Sequence, residues 1–412
     1  MTLTTPTAKL DAGSQENSDA AQNPPSWSSL HLPALDGLRG LAIVLVIAHN
    51  FDILELPLTA AGRLFDFMLN VGWIGVQLFF VLSGFLITRI LLQTKQSPNY
   101  YSAFFGRRVL RIFPLYYGVL FVTFVVFPLL DKVSAELARD QANQIWLWLY
   151  LSNWSQPLNI GSQVLPHFWS LAIEEQFYLL WPLLVHRRSP RQVLGLCLAV
   201  VVISPGLRVG MLWQDVRPEF IYAYTICRMD ALALGAAVAA LLQFPGLARR
   251  LFARRDSLVR GALFIWITGL ILTHGYPRTS PLGQTLGYSC LAVVFAMIVF
   301  AVALGGQSGD NLSMWERILN AEFLRTLGKY SYAMYVFHKP LHDWIGRPLL
   351  AHFGLLNRNS YVVAIGYVLI TIIVTLAAAV LSFHLFEKHF LAMKRWFVAR
   401  VPTVPGPTIS DV

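Results

Sequence analysis

Runs of about 20 mostly apolar residues, separated by short polar stretches, recur along the chain between residues 34 and 387. That is the length a helix needs to cross a bilayer. The runs predict spans at roughly 34–54, 71–93, 109–130, 167–186, 193–212, 227–243, 259–274, 284–305, 328–345 and 360–387. The fold class is therefore all-α, a polytopic transmembrane helical bundle of about ten spans. The stretch WLWLYLSNW at 146–154 is too short to span, and its Trp and Tyr suit an interfacial or re-entrant segment. Residues 1–30 are polar and lack the apolar core of a secretory signal, so they read as a disordered cytoplasmic tail. The Pro-rich end VPTVPGPTISDV reads in the same way. The domain reading is a tail over 1–30, one transmembrane domain over 31–390 and a second cytoplasmic tail over 391–412. No polar stretch is long enough to form an appended soluble domain, and no fixed-period repeat is present.

Composition agrees with that pattern. The chain is 56% hydrophobic and only 13% charged, about half the charge of a soluble domain. The net charge of +10 reads as loop bias rather than as affinity for nucleic acid. With a cytoplasmic N-terminus, the inside loops carry Lys95, Arg107, Arg108 and Arg111, then Arg187, Arg188 and Arg191, then Arg249, Arg250, Arg254, Arg255 and Arg260. The final tail adds Lys388, Lys394, Arg395 and Arg400, whereas the alternate loops hold fewer basic residues. An even span count and this asymmetry both put the two termini inside. Cys197, Cys227 and Cys290 are far apart in apolar contexts and read as packing residues. No metal or dinucleotide fingerprint stands out.

Candidate chemistry comes from polar groups that interrupt the apolar runs, because such groups are costly in a bilayer and usually face a cavity or a partner. The first run holds Arg39 and His49. Ten residues of helix separate them by about 15 Å along the axis and about 80° around it, so both can face one bundle interior. The imidazole suits proton transfer near neutral pH, and the alternative is a pair of groups at the headgroups. In the second run Gly72, Gly75, Ser83 and Gly84 read as close-packing residues, with Gln77 a polar group at mid-span. Arg108 and Arg111 share a helix face one turn apart, which fits a phosphorylated cosubstrate such as the nucleotide end of coenzyme A, or an ordinary basic anchor at lipid phosphates. Glu174 and Glu175 follow His167 into the fourth run. Adjacent helical residues point about 100° apart, so at most one faces a site while the other binds a neighbouring helix. They read as a cavity wall or proton acceptor, or as a structural ion pair with an arginine such as Arg228. Arg228 and Asp230 enter the sixth run together and read as an ion pair. Tyr330, Ser331, Tyr332, Tyr335, His338 and His342 fill the ninth. His338 there is either a substrate partner or a satisfied bundle histidine. His384 and Glu387 look like interface residues.

Six pieces, in order across about residues 31–390, resemble the acyltransferase 3 family of bacterial membrane O-acyltransferases. They are PALDGLRGLA with His49 downstream, GVQLFFVLSGFLIT, FFGRRVLRIFPLYY, HFWSLAIEEQFYLLWPLL, RMDALALGA and LGKYSYAMYVFHKPL. The resemblance implies transfer of an acyl group, often acetyl, from cytoplasmic acyl-CoA to a sugar hydroxyl, at the inner membrane. It makes Arg39 and His49 the central motif, with nine residues between them where the family usually has ten. It links Arg108 and Arg111 with the acyl donor. Some relatives carry a fused extracytoplasmic domain, and this chain looks like a stand-alone version. The candidate catalytic set is His49, Arg39, Glu174 and Glu175. The candidate substrate-binding set is Arg108, Arg111, Arg228, Asp230, Tyr332 and His338. Acyl-CoA is expected as a cosubstrate rather than a resident cofactor, and the partners are a carbohydrate or glycoconjugate acceptor and the bilayer. The competing reading is a glycan or lipid-linked substrate transporter, which accounts for polar groups in spans but not for the six pieces together.

Overall fold

The computed structural model describes residues 32–50, 59–305, 312–355 and 360–400. The tail over 1–30, residues 401–412 of the second tail and residues 51–54 of the first apolar run lie outside the described residues. Every regular element among the described residues is a helix. The long ones are α1 (Pro33–His49), α2 (Ala60–Val71), α3 (Ile74–Gln93), α4 (Tyr100–Phe121), α5 (Phe168–His186) and α6 (Pro190–Trp213). They continue with α7 (Thr225–Leu241), α8 (Arg255–Leu272), α9 (Tyr288–Gly305), α10 (Glu322–Leu341) and α11 (Tyr361–Ser382).

Among the described residues, six helical stretches are long and apolar enough to cross a membrane: Gly62–Gln93, Tyr100–Leu129, Pro190–Trp213, Pro218–Leu241, Gly283–Gly305 and Tyr361–Phe397. The expected runs 34–54, 167–186, 259–274 and 328–345 also become helix, as α1, α5, α8 and α10, but they fall outside that set. For three of them the reason is chemical: α5 carries Glu174 and Glu175, α8 carries Arg255, Asp256 and Arg260, and α10 carries Glu322, Arg325 and Lys329. α1 carries only Asp36 and Arg39 and falls short by length, its described helix having 17 residues. The third run also begins earlier than expected. α4 starts at Tyr100, so Arg107, Arg108 and Arg111 stand on a helix and not in a loop.

α1 lies in the middle of the bundle, with Ala42, Ile43 and Ile47 fully buried. It packs on α3 and α10, and α3 packs in turn on α7, α9 and α5. Glycine allows the closest of these approaches. A methyl group on Gly84 of α3 would run into the carbonyl oxygen of Leu232 on α7, and one on Gly235 of α7 would run into that of Val81 on α3. α1 and α10 meet in the same reciprocal way through Gly40 and Gly328. The outer helices turn apolar side chains outward: Leu198, Val202 and Ile203 on α6, Phe264 and Ile271 on α8, and Val362, Ile370 and Ile373 on α11. Such a belt suits hydrocarbon rather than water, as in a multi-pass membrane protein. The WLWLYLSNW stretch forms two short helices, Ile145–Trp148 and Ser152–Ser155, and does not span. It is pinned between α4 and α5: Tyr116 donates to Leu147 O at 2.8 Å, and Gln176 donates to Tyr150 O at 2.9 Å.

Candidate active site

The first half of α1 faces two adjoining cavities of about 280 and 560 Å³. Asp36, Arg39, Arg111 and Tyr332 line both. The smaller one lies among α1, α3, α4, α5 and α10 and adds Arg108, Ser83, Glu174 and Tyr178. The larger one opens toward the end of the chain and adds Arg325, Lys329, Glu387 and Lys394. Together their walls hold six basic side chains against four acidic ones, Asp36, Glu174, Glu322 and Glu387. The balance favours an anionic guest, and arginine forks are suited to phosphate. The arginines are held in place. Arg39 Nε donates to Ser331 Oγ at 3.3 Å, and the Arg108 guanidinium lies 5.1 Å from the ring centre of Tyr178. The Tyr178 hydroxyl donates to Glu174 Oε2 at 2.7 Å.

The other end of α1 reaches a different cavity, of about 260 Å³. His49, the last residue of the helix, lines it with His167, Glu219, Arg278 and the rings of Trp73, Trp169 and Tyr222. His49 Nδ1 lies 3.2 Å from Leu69 O. A carbonyl only accepts, so this contact makes Nδ1 the donor and leaves the lone pair of the neutral ring on Nε2. The aromatic wall has a buried cation behind it. The Arg228 guanidinium carbon lies 5.8, 5.9 and 5.1 Å from the ring centres of Trp73, Trp169 and Tyr222, and 4.3 Å from that of Tyr288. Arg228 Nη2 also donates to Gln77 Oε1 at 2.7 Å. Flat aromatic faces beside a few polar groups are a common way to hold a sugar ring.

Sequence comparison speaks to this arrangement. The Acyl_transf_3 family model, described as an acyltransferase domain, matches residues 32–384. The chain belongs to the acyltransferase 3 family. It is similar to YrhL of Bacillus subtilis strain 168, 29% identical over 381 residues, which is 87% of this chain and 54% of YrhL. It is similar to O-acetyltransferase OatA of Staphylococcus aureus strain NCTC 8325, 29% identical over 333 residues, covering 76% of this chain and 51% of OatA. It is also similar to peptidoglycan O-acetyltransferase OatA of Listeria monocytogenes, 30% identical over 331 residues, covering 76% of this chain and 50% of that protein. The chain spans about half the length of these curated relatives. No solved structure matches it.

For a member of the acyltransferase 3 family, the distribution of the expected residues is informative. Arg39, Arg108, Arg111, Glu174 and Tyr332 come together in the basic cavities. Tyr332 contributes its ring, because its hydroxyl is engaged in donating to Ile112 O at 2.7 Å. His49 stands apart from them. α1 is a regular helix from Pro33 to His49, so the two motif residues do not share one cavity as their angular spacing allowed. The pair Glu174 and Glu175 divides as adjacent helical residues must: Glu174 lines the basic cavity and Glu175 is not among its lining residues. Neither carboxylate bonds Arg228, whose partner is Gln77.

The expected ion pair of Arg228 with Asp230 is corrected as well. Asp230 pairs with Arg208 at 2.8 Å, deep in the α6–α7 interface, and Arg208 also donates to Ser289 Oγ and Cys227 O. The rotation between residues two apart on a helix, about 200°, sends the two side chains to opposite sides of α7. His338 is fully buried, with Nδ1 donating to Tyr335 O at 2.6 Å, and it is absent from the walls of these cavities. Glu387, expected at the membrane interface, lines the larger basic cavity instead. Arg278, Glu219, His167 and Lys394 line these cavities without being among the site candidates of the sequence, where Lys394 reads only as a basic residue of the tail. Only His167, a histidine at the mouth of an apolar run, carried a signal that could have found it.

Proposed function

We propose that this chain is an O-acyltransferase that moves an acyl group, with acetyl the first choice, from acyl-CoA to a hydroxyl of a cell-wall polysaccharide such as peptidoglycan. The observation that carries the reading is the arrangement along α1 of a basic cavity at one end and a histidine-bearing, aromatic-walled cavity at the other. The printed names of two relatives, O-acetyltransferase and peptidoglycan O-acetyltransferase, support the acyl group and the acceptor class. The basic loops support an inner-membrane protein of ten spans with both termini cytoplasmic, α5, α8 and α10 being the spans of lower apolarity and α1 a short one.

In this scheme Arg108, Arg111 and Arg39 hold the phosphates and arm of acyl-CoA on the cytoplasmic side. The thioester advances toward His49 through a bundle that limits hydrolysis. His49 Nε2 takes the proton of the acceptor hydroxyl as its oxygen attacks the thioester carbonyl carbon. The new C–O bond forms, the C–S bond breaks, and the departing thiolate takes the proton back from His49. The roughly 15 Å of helix between Arg39 and His49 gives Arg39 a role in donor binding rather than at the reacting carbonyl. The test uses purified full-length protein in lipid nanodiscs with radiolabelled acetyl-CoA and chitotetraose as a carbohydrate probe. We expect His49→Ala to lose label transfer by about a hundredfold or more while still binding acetyl-CoA. Undiminished transfer by that variant rejects the scheme, and glycan movement across vesicles without acyl-CoA favours a transporter.

A further inference from the structure

Val76 on α3 and Tyr335 on α10 line both the smaller basic cavity and the His49 cavity. They are the lining residues common to both, so they stand where the two cavities adjoin. Both are held stiffly there. The Tyr335 hydroxyl lies 2.5 Å from Ser170 Oγ and donates to His167 O at 3.1 Å, so its ring cannot swing aside without giving up both contacts. Phe79 meets the same ring edge-on with centres 6.2 Å apart. Beneath Val76, Gly75 already brings the α3 backbone against the carbonyl oxygen of Ala42 on α1, so α3 has no room to retreat. Val76 and Tyr335 are themselves only 8% and 6% exposed.

We propose that Val76 and Tyr335 form a neck between the two cavities and select the acyl group by its cross-section. The inference rests on the reading above, in which the thioester travels from the arginines to His49. The acyl group then goes through the neck first, and the segment of the donor arm next to the sulfur, which carries no carbon branch, follows it. A straight acyl chain is no wider than the arm behind it, whatever its length. A chain branched beside the carbonyl, or an aromatic acyl group, is wider. The neck therefore discriminates against branching and tolerates length, the opposite of a closed acyl pocket, which measures length. Both residues act on specificity and neither takes part in bond making.

The experiment compares acetyl-, butyryl-, isobutyryl- and benzoyl-CoA as donors to chitotetraose, with the full-length protein in nanodiscs. For the wild type we expect butyryl transfer within about threefold of acetyl transfer, and isobutyryl and benzoyl transfer slower by about tenfold or more. Val76→Ala is expected to raise the isobutyryl-to-acetyl ratio about tenfold. Tyr335→Phe, which keeps the ring and frees it from Ser170 and His167, is expected to raise the same ratio and decides the matter if Val76→Ala does not fold. A wild type that already accepts isobutyryl as well as butyryl, or ratios unmoved in a variant that still transfers acetyl, overturns the neck and leaves the acyltransferase reading intact. Absence of acyl transfer from every donor by the wild type removes that reading, and the neck with it.

Discussion

The Arg208–Asp230 pair shows what a buried charge demands of its surroundings. Both side chains are almost completely out of solvent, and the arginine spends its donors on a carboxylate, a hydroxyl and a backbone carbonyl. Removing one member of such a pair leaves the other uncompensated and costs about 3–5 kcal/mol, whereas replacing both with apolar groups is often neutral. Asp230→Ala should therefore lower the melting temperature in detergent sharply, and Arg208→Met with Asp230→Leu should recover much of the loss. Additive losses in the double variant would show that the pair is not one energetic unit. The arginines of the basic cavity make a different prediction, because the proposed function gives them a ligand to hold. Arg108→Ala and Arg111→Ala should each weaken acetyl-CoA binding by about tenfold, as loss of a charge-assisted hydrogen bond does, with little effect on melting. Titration calorimetry reads this directly, and unchanged affinity in both variants rejects the donor site. These residues also mark the reach of a sequence. Arg108 and Arg111 were legible because a helix turn puts them on one face. The choice of Arg208 over Arg228 as the partner of Asp230 was not, because it depends on which side of α7 meets α6.

At the scale of the element, clear spans and less clear ones line the site together. α3 and α4 stand among the six clear spans, whereas α5 and α10, which supply Glu174, Tyr332 and Tyr335, are not apolar enough, and α1, which supplies Arg39 and His49, is one residue too short as described. Hydropathy loses a helix in proportion to the polar groups it brings to a cavity, which is why periodic apolar runs located these helices but left their status open. Of the small residues read as packing devices, Gly72, Gly75 and Gly84 sit against neighbouring backbone, Gly84 on that of α7, whereas Ser83 lines the smaller basic cavity. No hydrophobic driving force draws two helices together in lipid, so this association depends on close backbone approach. Gly84→Leu or Gly235→Leu should push α3 and α7 apart and abolish monodisperse folded protein, whereas Gly195→Leu, at a position with open space, should be tolerated. Size-exclusion profiles of the three variants check this. A monodisperse Gly84→Leu protein with wild-type melting would mean that the approach has slack which the packing does not suggest.

The whole molecule has two ends joined through a neck, and that polarity makes the strongest demand on the membrane. Arg278 is exposed at the mouth of the His49 cavity, and Arg325 is exposed at the mouth of the larger basic one. If the basic mouth receives a cytosolic thioester and the histidine mouth receives a cell-wall glycan, the two positions must face opposite aqueous compartments. The bias of the arginine-rich loops points to Arg325 as the inner one. In a background with Cys197, Cys227 and Cys290 replaced by serine, Arg278→Cys should react with an impermeant maleimide on intact spheroplasts. Arg325→Cys should react only after permeabilisation. Labelling of both from outside would mean that the cavities share a compartment, and the path through the neck would then connect nothing. The reverse pattern would keep two compartments but invert the molecule, placing the arginines proposed to hold the donor phosphates where no acyl-CoA pool exists. Only the expected pattern lets one rigid helix, α1, present its arginine to the donor and its histidine to the acceptor without either substrate having to cross the bilayer.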